Sequence, residues 1–589
     1  MGTQYAKPRM LIVGIAVVGT AIAAGCRVGP DPFRPASQVQ PNYRHLETSG
    51  VHEGGEDLDG WWVGFNDPVL NDLIHQAVAQ NLGLREACLR IVQARATRCV
   101  AKADGLPQFD TDASYTFQKI STTGGQFSIF RPDGSAVNIK STFDQWAMGL
   151  NGAWEIDVFG RIFRNIQAAD ADICATVWDY RDTMVLLLSD VASNYVDART
   201  FQRRLEIAHR NLEAQQKILE LTQKRFDAGV ISELDVAQAK ANVASTQADI
   251  PTLEIGYQLA VNRLSTLLGN TPGYVDNFMI NPMPIPIPPT EIAIGIPADL
   301  LRRRPDVRSI EQQLMAQTAR VGVATTDLYP RFSIIGTFGY SSRLFDDLLT
   351  TRAIAANVGP NVQWNILNFG RYKCNIQAQE AFQCQLVARY QAAVLQAAEE
   401  VDNALVSYDR EKQRRGSLAE AVTAFERAVD LSEQQYTQGK VSFQSVLDSQ
   451  RSLLQSENLL AISEGNVVSN LIDLYKALGG GWNHPHAFAG DVAYDQTLQY
   501  APSVELERLP PAEGNADNAN NGGDASKKSA AEDGDSEADA SDTDSSDTNA
   551  EPSGNPTAPN DSNSDENAPD DKKPGDSPSD RDLSMWRYN

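Results

Sequence analysis

The sequence predicts a mainly α protein with a β-barrel contribution: four strands per chain, two long α-helical hairpins and an internal two-fold repeat. Three observations predict it. A strand-to-helix junction is written twice, as "WEIDVFGRIFRNIQAADA" from Trp154 and "WNILNFGRYKCNIQAQEA" from Trp364. The segment before each junction alternates apolar with polar or small residues, the period of a strand. The segment after each runs 68 residues without a proline, at 161–228 and 371–438, far longer than an ordinary helix.

The chain opens with a processing signal, residues 1–25. Lys7 and Arg9 precede an apolar run that ends "AIAAGC", too short to span a bilayer well. Small residues ahead of Cys26 read as a lipobox, which would make Cys26 the lipidated first residue of the mature chain; the alternative is an ordinary secretory signal cut near Ala24. Residues 26–60, beginning "CRVGPDPFRP", are an extended, Pro-rich tether.

The first repeat occupies 61–269 and the second 298–482. A shift of 210 keeps Trp154 to Gly269 in gap-free register with Trp364 to Gly479, whereas "LPQF" at Leu106 matches "YPRF" at Tyr329 with a shift of 223. The first copy therefore has 13 more residues (223 minus 210) between its proline and its tryptophan, which marks a loop. Trp146, Met148, Leu150, Trp154, Ile156 and Val158 alternate with polar or small residues, as do Val358, Val362, Trp364 and Ile366, while Phe332, Ile334, Phe338 and Tyr340 give the partner strand. Phe109, Tyr115 and Phe117 mark the fourth strand more weakly. A soluble sandwich with its apolar face inward is the competing reading of such alternation.

Each long helix would extend about 100 Å. It ends at "AGVIS" (228–232) or "QGKVS" (438–442), where a glycine supplies the left-handed conformation that stops a helix. A return helix follows, and Pro251 within the first should bend it or mark a join. The Pro-rich connector within 270–297 links the copies and should pack around the outside. Residues 483–510 form a C-terminal extension.

The formal charge of -25 is concentrated in a tail, residues 511–589, which holds 20 acidic and 6 basic side chains. So little apolar surface cannot offset the entropy of ordering, and the tail reads as disordered. Neither part has the basic patches of a nucleic-acid binder. Five cysteines besides Cys26 are an odd number for a disulfide framework, and Cys88 and Cys99 would lie about 16 Å apart on one helix; buried free thiols are the reading. His484 and His486 in "GWNHPHAF" lack companion ligands, so no metal is expected. No phosphate loop or nucleophile elbow appears, and neither an enzyme nor a cofactor is predicted.

Four strands of about ten residues suit a bilayer, but an open sheet in lipid leaves edge groups unpaired at several kcal/mol each. Three chains would close a twelve-stranded barrel, continued by their helices as a tube. That arrangement is a conduit.

At "GIPADLLRRRPDVRSIEQQL" (295–314), "ARVGVATTDLYPRFSIIGTFGY" (319–340), the two "FGR" junctions and "VLDSQRSLL" (446–454), the sequence resembles the TolC-like outer-membrane efflux proteins, in the lipoprotein branch that serves RND-type multidrug systems. The resemblance implies a homotrimer whose β-barrel crosses outer membrane lipid and whose α-barrel crosses the periplasm. Its hairpin tips would meet a periplasmic adaptor protein linked to an inner-membrane transporter. Carried over, the tips are Gly229, Val230, Ile231 and Ser232 with Gly439, Lys440, Val441 and Ser442, and the pore gate is Asp448; some relatives place a second carboxylate where this chain has Ser445. The channel of a type I protein-secretion system is the alternative within this class. A lipid-anchored coiled-coil scaffold without a pore is the alternative outside it.

Overall fold

Glycine converts strand to helix in both copies. Gly160 and Gly370 sit at the N-caps of the long helices with φ of 81° and 85°. The computed structural model of the chain describes residues 27–33, 35, 51–53, 58–119, 142–289, 292–294 and 303–483. The tail, the histidines at 484 and 486 and Cys26 lie outside them.

A short strand β1 (Val51–Glu53) and a 3-10 segment (Leu58–Phe65) precede helices α1 (Pro68–Gln80) and α2 (Leu82–Ala103). Strands β2 (Gln108–Lys119) and β3 (Thr142–Ile156) lead into α3 (Arg161–Asp227) and its return helix α4 (Glu233–Leu267). After β4 (Ile292–Ile294), which pairs in parallel with β1, the second copy repeats the order: α5 (Pro305–Thr326), β5 (Arg331–Ser342), β6 (Ile354–Gln363), α6 (Arg371–Thr437) and α7 (Phe443–Ala477). The long helices are 67 residues each and the return helices 35 each.

The strands form one sheet in the order β2-β3-β5-β6, every pairing antiparallel. The same register holds in both hairpins. Phe109 opposes Gly152, and shifting them by 223 and 210 gives Phe332 opposite Val362, which is the observed pair.

Three pairs of left-handed glycines follow the same offset: Gly160 with Gly370, Gly229 with Gly439, and Gly269 with Gly479. At the last pair the helices stack end to end. The Asn81 amide, which also caps α2, donates to the Leu267 carbonyl at 2.8 Å, and the Arg304 guanidinium donates to the Ala477 carbonyl at 3.1 Å. The donors differ by 223 and the acceptors by 210. Each return helix is thus prolonged by a shorter helix of the same copy, α4 by α2 and α7 by α5. The main core gathers where these joints meet α1 and α3, around Trp61, Leu73, Tyr195, Leu264 and Leu471.

Three expectations are corrected. The strand read through Trp364 and Ile366 stops at Gln363. Its counterpart β3 runs on to Ile156 because Trp154 and Ile156 pair with Ile334 and Phe332; β6 has no neighbour on that side. Helix α4 continues through Pro251 as one element, with no join there. The five cysteines are free, yet Cys99, Cys374 and Cys384 are exposed, because the helix faces that carry them have no covering layer in the single chain. Residues 282–288 of the connector share a cleft with Gln202 and Arg203 of α3, Arg415 of α6 and Glu464 of α7.

Arg304 forms ion pairs with Asp306 at 2.8 Å and Glu400 at 2.6 Å, beside Asp182 of α3 in one cavity. Burial, and then the like charge of Asp306, push the Asp182 carboxyl up to about 6, against the pull of Arg304. A raised carboxyl pKa means that the folded chain holds a proton the unfolded chain has already released. The stabilisation is therefore full below the unfolded value and lost as pH rises through 6. Asp182→Asn should stabilise the protein at pH 7.5, on the order of 2 kcal/mol after allowing for partial exposure, and leave it nearly unchanged at pH 4. Thermal melts of both proteins at the two pH values read this directly.

Candidate channel wall and its two ends

The sheet separates its side chains completely enough to define an inside and an outside. The register places Phe109, Tyr115 and Phe117 on one face with Trp146, Met148, Leu150 and Trp154, with Phe332, Ile334, Phe338 and Tyr340, and with Ile354, Val358 and Val362. Asp110, Asp112, Asn151, Glu155, Ser333, Thr337, Asn357 and Asn361 take the opposite face. Polar side chains there bridge neighbouring strands. Asn151 donates to Asp112 at 2.6 Å, Asn361 to Ser333 at 3.3 Å and Gln145 to Ser341 at 3.3 Å.

Among the described residues most of the apolar face is open, with Phe345 against Trp146 and Phe159 near Phe332 as the ring contacts on it: Phe117 is 60%, Phe338 54% and Val358 80% exposed. That overturns the inward-facing sandwich. An apolar outer face with a polar inner one is the pattern of a membrane barrel wall. The indoles of Trp154 and Trp364, which donate to the Gly105 and Leu328 carbonyls at 3.0 and 3.1 Å, mark the end of that face nearest the helices. Aromatic side chains of this kind belong at the border of the hydrocarbon. Among the described residues no helix is long and apolar enough to cross a membrane.

Copy one is covered where copy two is bare. Phe159 stacks on Tyr329 with ring centroids 4.7 Å apart, whereas its counterpart Phe369 is 100% exposed. A Cβ on Gly149 would meet the Phe338 carbonyl at 3.0 Å, whereas one on Gly359 would meet nothing within 4 Å. Copy two leaves open the positions at which copy one is covered by copy two.

The two hairpin tips lie side by side at the far ends of α3 and α6. Arg225 donates to the Tyr436 and Thr437 carbonyls at 3.0 and 2.8 Å and lies 4.7 Å over the Tyr436 ring. Ala239, Tyr436, Phe443, Val446 and Leu447 pack beneath. Gly229 and Gly439 take φ of 72° and 71°; the next amides close onto Arg225 and Gln435, so the bends are made by backbone alone. Val230, Ser232, Lys440 and Ser442 are exposed, while Ile231 and Val441 are partly covered. Ser232 donates to Asp235 at 3.2 Å, and the Ser442 and Ser445 hydroxyls are 3.3 Å apart.

Asp448 is exposed on α7, with Gln444 donating to it at 2.8 Å. It lies on the face opposite Val446, Leu447 and Gln450, which are buried. Sequence reasoning missed Arg225, although an arginine four residues before the left-handed glycine suits capping of exposed helix-end carbonyls.

At the other end of the long helices the segment 27–33 is docked rather than free. Arg27 covers the Phe163 ring at 3.7 Å, and the buried Arg164 holds Asp31 at 3.0 Å and the Val28 and Gly29 carbonyls. The residue after Cys26 therefore sits at the strand-to-helix border. Among the described residues there is no group of side chains that could hold a metal ion.

The profile of the outer membrane efflux protein family matches residues 73–270 and 296–480. Nodulation protein T of Rhizobium leguminosarum bv. trifolii is 30% identical over 470 residues, covering 80% of this chain and 97% of that protein. The toluene efflux pump outer membrane protein TtgI of Pseudomonas putida is 30% identical over 469 residues, 78% of this chain and 96% of its own. Among solved structures the outer-membrane channel OprN is similar with a TM-score of 0.70 at 33% identity, over 78% of this chain and all of that one. The CmeC outer membrane channel of Campylobacter jejuni, at 21% identity and a TM-score of 0.71 over 80% of this chain and 98% of that one, shares the fold.

Proposed function

The chain belongs to the outer membrane efflux protein family, and from that premise we propose that it is the passive exit duct of a tripartite efflux system. Three chains would close a twelve-stranded barrel in the outer membrane and continue it inward as a tube of helices. The observation that carries this reading is the equivalence of the two copies together with the bare flank of the second.

The equivalence also specifies the closing contact. Within one chain β3 of copy one pairs with β5 of copy two. Shifting that pairing by the same offsets sets β6 of one chain against β2 of the next: Ile156 opposite Phe332 becomes Ile366 opposite Phe109, and Met148 opposite Tyr340 becomes Val358 opposite Phe117. Most such pairs keep apolar residues on the outer face; Lys119 opposite Ala356 and Thr111 opposite Trp364 are the polar exceptions. The helices follow: α3 against α5 becomes α6 against α2 of the next chain. There the hydrogen bond from Ser309 to Asp179 is replaced by Glu86 facing Arg389, an acid and a base.

Transport energy comes from an inner-membrane transporter of the RND type, reached through a periplasmic adaptor that docks on Gly229 to Ser232 and Gly439 to Ser442. The exposure of these stretches, at the end farthest from the sheet, supports that role. Three Asp448 carboxylates facing one axis would attract cations and repel each other at the closed end. Cys26 anchors the chain through lipid, in keeping with the docking of Arg27 at the border of the sheet. A secretion channel is less favoured, since the matching family is one of efflux proteins and TtgI, named above, is the outer membrane protein of an efflux pump. A scaffold leaves the exposed apolar face without a purpose.

Purified assembly in a planar bilayer should give stepwise conductance, and Asp448→Asn should lower its cation preference about twofold; a bilayer left silent by well-folded protein would contradict the duct. Arg389→Glu or Glu86→Arg alone should shift the assembly toward monomer in native gels, and the double exchange should restore it. Equal stability of all four proteins would sink the proposed contact.

A further inference from the structure

Two exposed thiols acquire a meaning from the same equivalence. Gly322 of α5 lies against Arg164 of α3: a Cβ placed on Gly322 would be 3.2 Å from the Arg164 Cγ. Shifting Gly322 back by 223 gives Cys99, and shifting Arg164 forward by 210 gives Cys374. The site where α6 of one chain meets α2 of the next therefore sets cysteine against cysteine.

The spacing suits a bond. The Cγ of an arginine occupies the place of a cysteine sulfur, and in a disulfide each Cβ lies about 3 Å from the partner sulfur, as the S–S length of about 2.05 Å requires. Cys99 and Cys374 are both free and exposed in the single chain. The seam within a chain is wedged by its own N-terminal segment, with Gly29 packed on Gly322 and Asp31 held by Arg164. That segment serves the seam inside its own chain, and at the seam between chains the two cysteines take its place.

We propose that Cys99 of each chain forms a disulfide with Cys374 of the next, so that three bridges lock the assembly into a covalent ring near the foot of the barrel. The inference rests on the trimeric reading above. The chemistry is thiol–disulfide exchange with a disulfide-carrying oxidoreductase of the oxidising compartment outside the inner membrane. One thiolate attacks the oxidant's disulfide and expels its first thiolate; the second cysteine then attacks the mixed disulfide and expels the other. Two cysteine thiols become one S–S bond, and the two electrons and two protons end on the oxidant as a dithiol.

Full-length protein isolated from membranes after quenching with N-ethylmaleimide tests this on gels without reductant. The expected result is covalent dimers and trimers that collapse to single chains with dithiothreitol, with a peptide joining Cys99 to Cys374 in digests. Cys99→Ser and Cys374→Ser should each abolish the ladder, and Cys88→Ser, Cys174→Ser and Cys384→Ser should keep it. Native mass spectrometry in detergent separates the two levels. Trimers with all five thiols alkylated overturn the bridge and leave the trimer standing; single chains only overturn the trimeric reading itself.

Discussion

A backbone amide or carbonyl without a partner in hydrocarbon costs several kcal/mol, and a four-stranded sheet has a row of them on each edge. No rearrangement within this chain can remove both rows, because β2 and β6 are the two ends of the sheet and the strands between them already pair on both sides. Neighbouring chains must supply what is missing. The duplication makes that possible with little new design. In the proposed assembly, the contact that joins copy one to copy two inside a chain would serve, shifted by the repeat offsets, to join copy two to the next chain.

The helices obey the same constraint in water. A helix of 67 residues on its own would be a poor structure, since most helical stability comes from packing an apolar stripe. Here each long helix is flanked by its return helix near the tip and by α2 or α5 near the sheet. The joints between these shorter helices are sealed by Asn81 in one copy and Arg304 in the other, each capping a carbonyl that its partner helix leaves open. Different side chains solve one problem at equivalent places. Where the copies differ most, at Phe159 against Phe369, the difference is the presence or absence of the next wall.

Much of this was legible in the sequence because the repeat is nearly gap-free and the strand period is two. The boundaries of α3 and α6 followed from their proline-free runs and glycine ends to within a residue. What escaped depends on contacts no local pattern encodes. Strand β6 stops short of Trp364 because an edge has no ladder, and the N-terminal segment docks because Arg164, buried beneath it, needs an acid and two carbonyls. Three of the thiols that composition alone would bury, Cys99, Cys374 and Cys384, turn out to be exposed, and the trimer proposed above would give two of them a cover. The tip residues and Asp448 are singled out by resemblance alone, and the geometry adds Arg225, whose fork holds the second tip to the first.

The claim on which the rest depends is that both outer strands are paired in the membrane. Hydrogen exchange by mass spectrometry on the assembly in lipid nanodiscs measures it most directly. The account predicts that amides of Gln108–Lys119 and Ile354–Gln363 exchange as slowly as those of β3 and β5. Fast exchange along either segment, with β3 and β5 protected, would mean that the sheet stays open and would contradict it.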